Sequence, residues 1–218
     1  GVVGVAPGAN LYGLKVLDET GYGTSDDVIA AIEWVTATRT DGLASNDIHV
    51  ANMSLTDTGQ DTALRAAIQN SVAAGVVFVV AAGNDSQDIY GPYGNFGTSD
   101  EIIPAAYPEV ITISGLTDND GKPGGTGGSF WDRLLYGADD RFASYSNYST
   151  TVVDDNPVVS PGAAIDLILP GTNIYSTDIG GYSTKTGTSM ASPHGAGLAA
   201  LYVAQNGPAT SATEVYAL

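Results

Sequence analysis

The chain has 218 residues, of which 43 % are apolar and 14 % charged, with 28 Gly, 10 Pro and no Cys. That composition supplies a hydrophobic core and excludes disorder, a disulfide scaffold, a thiolate zinc site and a cysteine nucleophile. Twenty-four acidic residues against 7 basic ones give a formal charge of −17, which repels phosphate and excludes nucleic acid as an expected partner.

In chain order, Leu11–Leu17 (LYGLKVL) has the apolar, β-prone character of a short strand. Thr24 to Asp27 offer hydroxyls to cap a helix and acids to complement its dipole. Val28, Ile32 and Val35 then recur at i, i+4 and i+7, which predicts a helix over Thr24–Arg39. Ile48–Ser54 reads as a strand. Asp61–Ala74 reads as a helix with Leu64, Ile68 and Val72 on one face and Gly75 as its stop. Val76–Ala81 is continuously apolar, the pattern of a strand covered on both faces. The longest apolar run, Val72–Ala82, is too short for a bilayer, which needs about 20 residues.

The second half reads as a strand at Val110–Ser114 and a loop-like surface stretch over 118–140. A strand at Ala163–Leu169 follows, then a helix from Ser189 to about Gln205, ended by Asn206-Gly207-Pro208. Strand–helix–strand repetition with doubly buried strands predicts an α/β fold. The expected architecture has three layers, a mostly parallel sheet with helices on both faces, in one domain over residues 1–218.

Chemistry concentrates at Gly187-Thr188-Ser189. A turn delivers a serine to the first turn of a helix, where unpaired N–H groups create a positive field able to stabilise an oxyanion. Pro193 is expected within that first turn, where a missing N–H costs nothing. On these residues alone Ser189 reads as an ordinary N-cap.

The segment Gly187-Thr188-Ser189-Met190-Ala191-Ser192-Pro193-His194 resembles the nucleophile motif G-T-S-M-A-x-P-H of the subtilisin-like serine proteases, the subtilases, with all seven fixed positions matching. The resemblance implies that Ser189 is the nucleophile. Ala81-Ala82-Gly83-Asn84 is similar to the family's A-A-G-N, which makes Asn84 the side-chain donor to the oxyanion. Val50-Ala51-Asn52-Met53-Ser54-Leu55 resembles V-I-N-M-S-L-G, which lines the pocket for the substrate side chain, with Thr56 in place of the usual Gly. Gly21-Tyr22-Gly23 is similar to an edge that pairs with an extended substrate backbone. Asp85 falls at the rim of the specificity pocket, beside Ala82 and Gly83. Lys15-Val16-Leu17, Glu33-Trp34 and Tyr107-Pro108 match more loosely, and Ile103-Pro104 is the expected cis peptide. The family implies polypeptide substrates, secretion, no membrane, a monomeric full-length enzyme and no cofactor for the chemistry. It also implies structural calcium, with carbonyls near Ala105, Tyr107 and Val110 as a weak cation site. Asp118-Asn119-Asp120-Gly121 looks like the start of a calcium loop but lacks the downstream Glu, so it reads as a solvated turn.

A subtilase also needs an Asp and a His, in D-S/T-G and H-G-T-H motifs that precede the Lys15-Val16-Leu17 strand. Neither motif occurs in this chain. His49 lies in a strand where the family varies. His194, five residues after Ser189, is more than one helical turn on, so no dyad with Ser189 is expected. We read the chain as the C-terminal two-thirds of a subtilase catalytic domain, with the N-terminal part of the fold missing, inactive and marginally folded alone. A non-catalytic peptide-binding pseudoprotease and one chain of a nicked enzyme are the alternatives. An α/β nucleotide-binding domain would need a phosphate loop between strand and helix, which the Gly-rich stretch 121–128 does not form. With a charge of −17, self-repulsion opposes folding. The thermal midpoint should therefore rise as NaCl is added from low ionic strength; a midpoint that is flat or falls would show that repulsion is not limiting.

Overall fold

A computed structural model describes residues 2–125, 127–150 and 164–217. Helix α1 spans Ser25–Thr40 and follows the predicted pattern, with Val28, Ile32 and Val35 buried. Its start is a capping box: Thr24 Oγ1 accepts from the Asp27 N–H, and the Asp27 side chain accepts from the Thr24 N–H. Strand β1 is Val50–Met53 and the short β2 is Asp57–Thr58. Helix α2 spans Thr62–Ala73, capped by Asp61, whose carboxylate accepts from the N–H groups of Ala63 and Leu64. Strand β3, Val77–Ala81, is wholly buried. Strand β4 is Ile102–Ile103, followed by the cis Ile103-Pro104 peptide, and β5 is Ile111–Thr117.

Helix α3 covers Phe130–Tyr136, β6 Arg141–Phe142 and β7 Leu167–Pro170. A hairpin of β8, Ile174–Asp178, and β9, Gly181–Lys185, leads into α4, Thr188–Asn206; a short α5, Ala212–Val215, closes the chain.

The central sheet runs β1–β3–β5, all parallel, with β7 parallel and β6 antiparallel to β5. Register pairs Met53 with Val80, Ala81 with Ile113 and Leu116 with Pro170. The carboxyl ends of β1 and β3 therefore lie side by side. Helix α4 packs directly on one face: a Cβ added at Gly195 would lie 3.0 Å from both Val79 Cγ1 and Ile113 Cδ1. By strand alternation Phe78 and Val80 point to the other face, and both are buried too. Strands β3 and β5 are thus covered on both sides, whereas Leu167 and Ile168 of β7 are exposed. Ile68 and Val72 of α2 are fully buried in the same core, each contributing roughly 1.5–3 kcal/mol by transfer from water.

Three sequence expectations change. Leu11–Leu17 is not a strand; Leu11 is 92 % exposed. A strand exists only through its ladder, and no described strand lies against this segment. The stretch 118–140 is at the surface but contains α3, started by a capping box of Ser129 and Asp132 that the surrounding glycines obscured. The predicted strand at Ala163–Leu169 begins later, at Leu167; Ala163 lies outside the described residues. The β8–β9 hairpin was not anticipated, although its β-branched and aromatic residues flank a turn at Gly180.

Candidate active site

The first turn of α4 meets the carboxyl ends of β1 and β3. Open α/β sheets place their sites at this edge, because loops diverge there while the strands hold their roots. The Thr188 N–H donates to Asn84 Oδ1 at 2.8 Å, and the Thr188 hydroxyl donates to the same atom at 3.0 Å. A backbone N–H can only donate, so the Asn84 atom facing it is the oxygen, and Nδ2 faces away. Nδ2 makes no hydrogen bond among the described residues, and Asn84 is exposed. The Ser189 N–H likewise has no acceptor among the described residues. Two N–H donors, one on Ser189 itself and one on the side chain that holds Thr188, thus have no acceptor among the described residues.

Ser189 and Ser54 are joined reciprocally. Ser54 Oγ donates to the Ser189 carbonyl at 3.0 Å, and Ser189 Oγ reaches the Ser54 carbonyl at 3.4 Å. Leu55 packs on the core. A Cβ built on Gly83 would be 3.7 Å from Thr56 Cγ2, so the segments after β1 and β3 face each other. Gly83 itself has φ +102°, and its Cβ would fall 2.3 Å from Asn147 Nδ2; only glycine fits.

Asn147 went unnoticed in the sequence. It is fully buried. Its Nδ2 donates to the Ala82 carbonyl, its Oδ1 accepts from the Asp85 and Gln87 N–H groups, and its own N–H donates to the Gly83 carbonyl. One side chain thereby shapes the whole 82–87 loop. No local signal marks it, because its partners lie 60–65 residues away.

Gly21–Gly23 belong to a turn built on Asp18, which accepts from the Gly21 N–H and, through its carboxylate, the Tyr22 N–H; the Tyr22 carbonyl accepts from the Asp18 N–H. No hydrogen bond among the described residues links this turn to Ser189. Pro193 is not in the first turn of α4. The helix begins at Thr188 and Pro193 lies inside it, past the positions whose N–H groups are unpaired. His194 directs Nδ1 to the Met190 carbonyl at 2.9 Å on its own helix. His49 precedes β1 at the amino end, five residues from Ser54, about 16 Å along an extended chain. Burial, then the Arg39 charge, push its pKa down. No imidazole contacts Ser189 Oγ among the described residues.

The Ala105 carbonyl accepts from Thr112 Oγ1, and the Tyr107 carbonyl from the Val110 N–H. These carbonyls already have internal donors. Asp118, Asp120 and Asp139, by contrast, bring carboxylate oxygens within 4.8 Å of one another. The Asn119 N–H donates to Asp139 Oδ1 and holds its pKa below the usual range.

A family model described as the subtilase family matches residues 1–218. The chain belongs to the subtilase family. It is 34 % identical to Subtilisin DY of Bacillus licheniformis, over 99 % of this chain and 61 % of the relative. It is equally 34 % identical to Subtilisin E of Bacillus subtilis (strain 168), over 97 % of this chain and 43 % of the relative. Among solved structures, a cold-adapted subtilisin-like serine proteinase superposes with a TM-score of 0.69 at 32 % identity, covering 99 % of this chain and 60 % of that one. The S41 psychrophilic protease gives a TM-score of 0.72 at 31 % identity. This subtilase chain therefore spans between about two-fifths and three-fifths of the length of these relatives.

The buried hydroxyl of Thr188 has two roles at this candidate site. Thr188 Oγ1 accepts from the Gly83 N–H at 3.1 Å while donating to Asn84. Thr188→Val keeps the shape but leaves the buried Gly83 N–H unpaired. We expect a stability loss of about 1–3 kcal/mol in denaturant unfolding; an unchanged midpoint would show that this bond contributes nothing net.

Proposed function

We propose that the protein carrying this chain is a serine endopeptidase that cleaves polypeptides through an acyl-enzyme on Ser189. The observation that carries the reading is a pair of donors without acceptors among the described residues: the N–H of Ser189 itself and Nδ2 of Asn84, whose Oδ1 is held by the preceding Thr188. In this reading Ser189 Oγ attacks the scissile carbonyl carbon and loses its proton to a base. The carbonyl oxygen, now charged, is held by the two N–H groups at the positive end of α4. The intermediate collapses with expulsion of the protonated amine, and water later releases the acid.

Ser54, Leu55 and Thr56 on one side, and Ala82, Gly83 and Asp85 on the other, would line the pocket before the scissile bond. Asp85, exposed at its rim, would favour a basic or polar side chain. Gly21, Tyr22 and Gly23 would pair with the substrate backbone. Secretion belongs to this reading as what the family resemblance implies. No described helix is long and apolar enough to cross a membrane. The chemistry calls for no cofactor; structural calcium belongs to the reading, and Asp118, Asp120 and Asp139 are the described carboxylates that could hold it.

A second reading, a peptide-binding pseudoprotease, is favoured by one observation. Ser189 Oγ has a carbonyl, not an imidazole, as its partner, and an unassisted hydroxyl is a poor nucleophile. Peptide hydrolysis by the protein expressed from its whole gene separates the two. We expect Ser189→Ala to abolish turnover and Asn84→Ala to lower kcat about 10²–10³-fold. Peptide binding with no cleavage by the wild type would leave the pseudoprotease reading.

A further inference from the structure

Pro193 is the sixth residue of α4. In an α-helix the carbonyl of residue i accepts from the N–H of i+4. For Ser189 that residue is Pro193, which has no N–H to give. The carbonyl of the candidate nucleophile is therefore deprived of its helical donor by the sequence itself. Ser54 Oγ donates to that carbonyl instead, at 3.0 Å, from the end of β1.

The polar row continues behind Ser54. Asn52 Nδ2 donates to Ser54 Oγ at 3.0 Å. Asn52 Oδ1 accepts from Ser192 Oγ at 2.7 Å. Ser192 is fully buried, with the Val79 carbonyl a longer alternative acceptor at 3.3 Å. The direction of every bond follows from the carbonyl end. A carbonyl only accepts, so Ser54 must donate to it. Ser54 must then receive its own bond from the amide nitrogen of Asn52, which turns Oδ1 toward Ser192. Asn52 and Ser54 can act together because residues two apart on a strand share a face. The row begins and ends on α4, so β1 bridges the helix across the gap that Pro193 leaves.

We propose that Ser54, Asn52 and Ser192 are positioning residues that fix the Ser189 backbone where Pro193 removes the helix's own hydrogen bond. This rests on Ser189 being the nucleophile. The clamp sets where the Ser189 N–H and hydroxyl point, and it ties both to the strand end whose Ser54 carbonyl lies 3.4 Å from Ser189 Oγ. A bond within the helix would satisfy the carbonyl without registering the helix against β1.

The test is a double-mutant cycle on the protein expressed from its whole gene, with kcat, KM and the thermal midpoint read for each variant. Ser54→Ala should lower kcat about tenfold, about 1.4 kcal/mol, with KM within about twofold, the pattern of an interaction needed in the transition state. Ser54→Thr, which keeps the hydroxyl, should restore most of the rate. In the Pro193→Ala background residue 193 regains an N–H for the Ser189 carbonyl. There the same Ser54→Ala change should cost less than about threefold, a coupling that additive effects cannot give. Should Ser54→Ala fail to fold, Asn52→Asp, which accepts from Ser192 but cannot donate to Ser54, should give the same loss in kcat. Equal losses in both backgrounds, a loss confined to KM, or no loss would overturn the positioning role. A wild type without hydrolysis is a different result: it withdraws the catalytic reading itself, and the positioning role with it.

Discussion

The contact between the first turn of α4 and the carboxyl ends of β1 and β3 determines what the rest of this chain can do. Its hydrogen bonds join residues 104 to 140 positions apart: Asn84 with Thr188, Ser54 with Ser189, Asn52 with Ser192. Closing loops of that length is entropically unfavourable, and polar bonds of about 1 kcal/mol net each do not offset it alone. The apolar packing does. Gly195 brings α4 against Val79 and Ile113, and β3 is buried throughout. The hydrophobic sheet carries the helix to its place, and the polar row then decides its exact rotation and height.

That division explains the composition of the turn. Gly187 carries φ +153° and passes Asn84 closely enough that a Cβ would sit 3.4 Å from Oδ1. Thr188 is buried, because its hydroxyl serves both Gly83 and Asn84. Pro193 leaves the Ser189 carbonyl for a partner outside the helix. Gly187 and Thr188 stand where a helix has unpaired N–H groups, and Pro193 leaves a carbonyl unpaired; these groups turn to neighbouring segments, Thr188 to Asn84 and the Ser189 carbonyl to Ser54. The net result is a serine whose backbone is held from β1, with Asn84 held from the helix so that its N–H groups face outward.

Much of this was legible in the chain. The i, i+4, i+7 spacing of Val28, Ile32 and Val35 fixed α1, and the unbroken apolar run fixed β3, because periodicity and burial are local properties. The family motifs named Ser189 and Asn84 as candidates, and the fold brings Asn84 against Thr188, the residue before Ser189. What was not legible depends on neighbours. Leu11–Leu17 has strand character but no described partner strand. Pro193 was assigned to the first turn because the motif does not show where hydrogen bonding begins. Asn147 and the Asn52–Ser54–Ser192 row lie far apart in sequence from the groups they serve, so only the fold brings them together. The helix in 118–140 had a readable cap at Ser129 and Asp132, hidden by the glycines before it.

The central claim is the proposed one, that Ser189 is the nucleophile of the protein that carries this chain. The most direct measurement is reaction of the folded protein, expressed from its whole gene, with a fluorophosphonate probe, followed by peptide mapping in a mass spectrometer. The account predicts one adduct, on the peptide containing Ser189, absent when the protein is denatured before labelling. A folded protein that acquires no adduct, or acquires it at another serine, would contradict it.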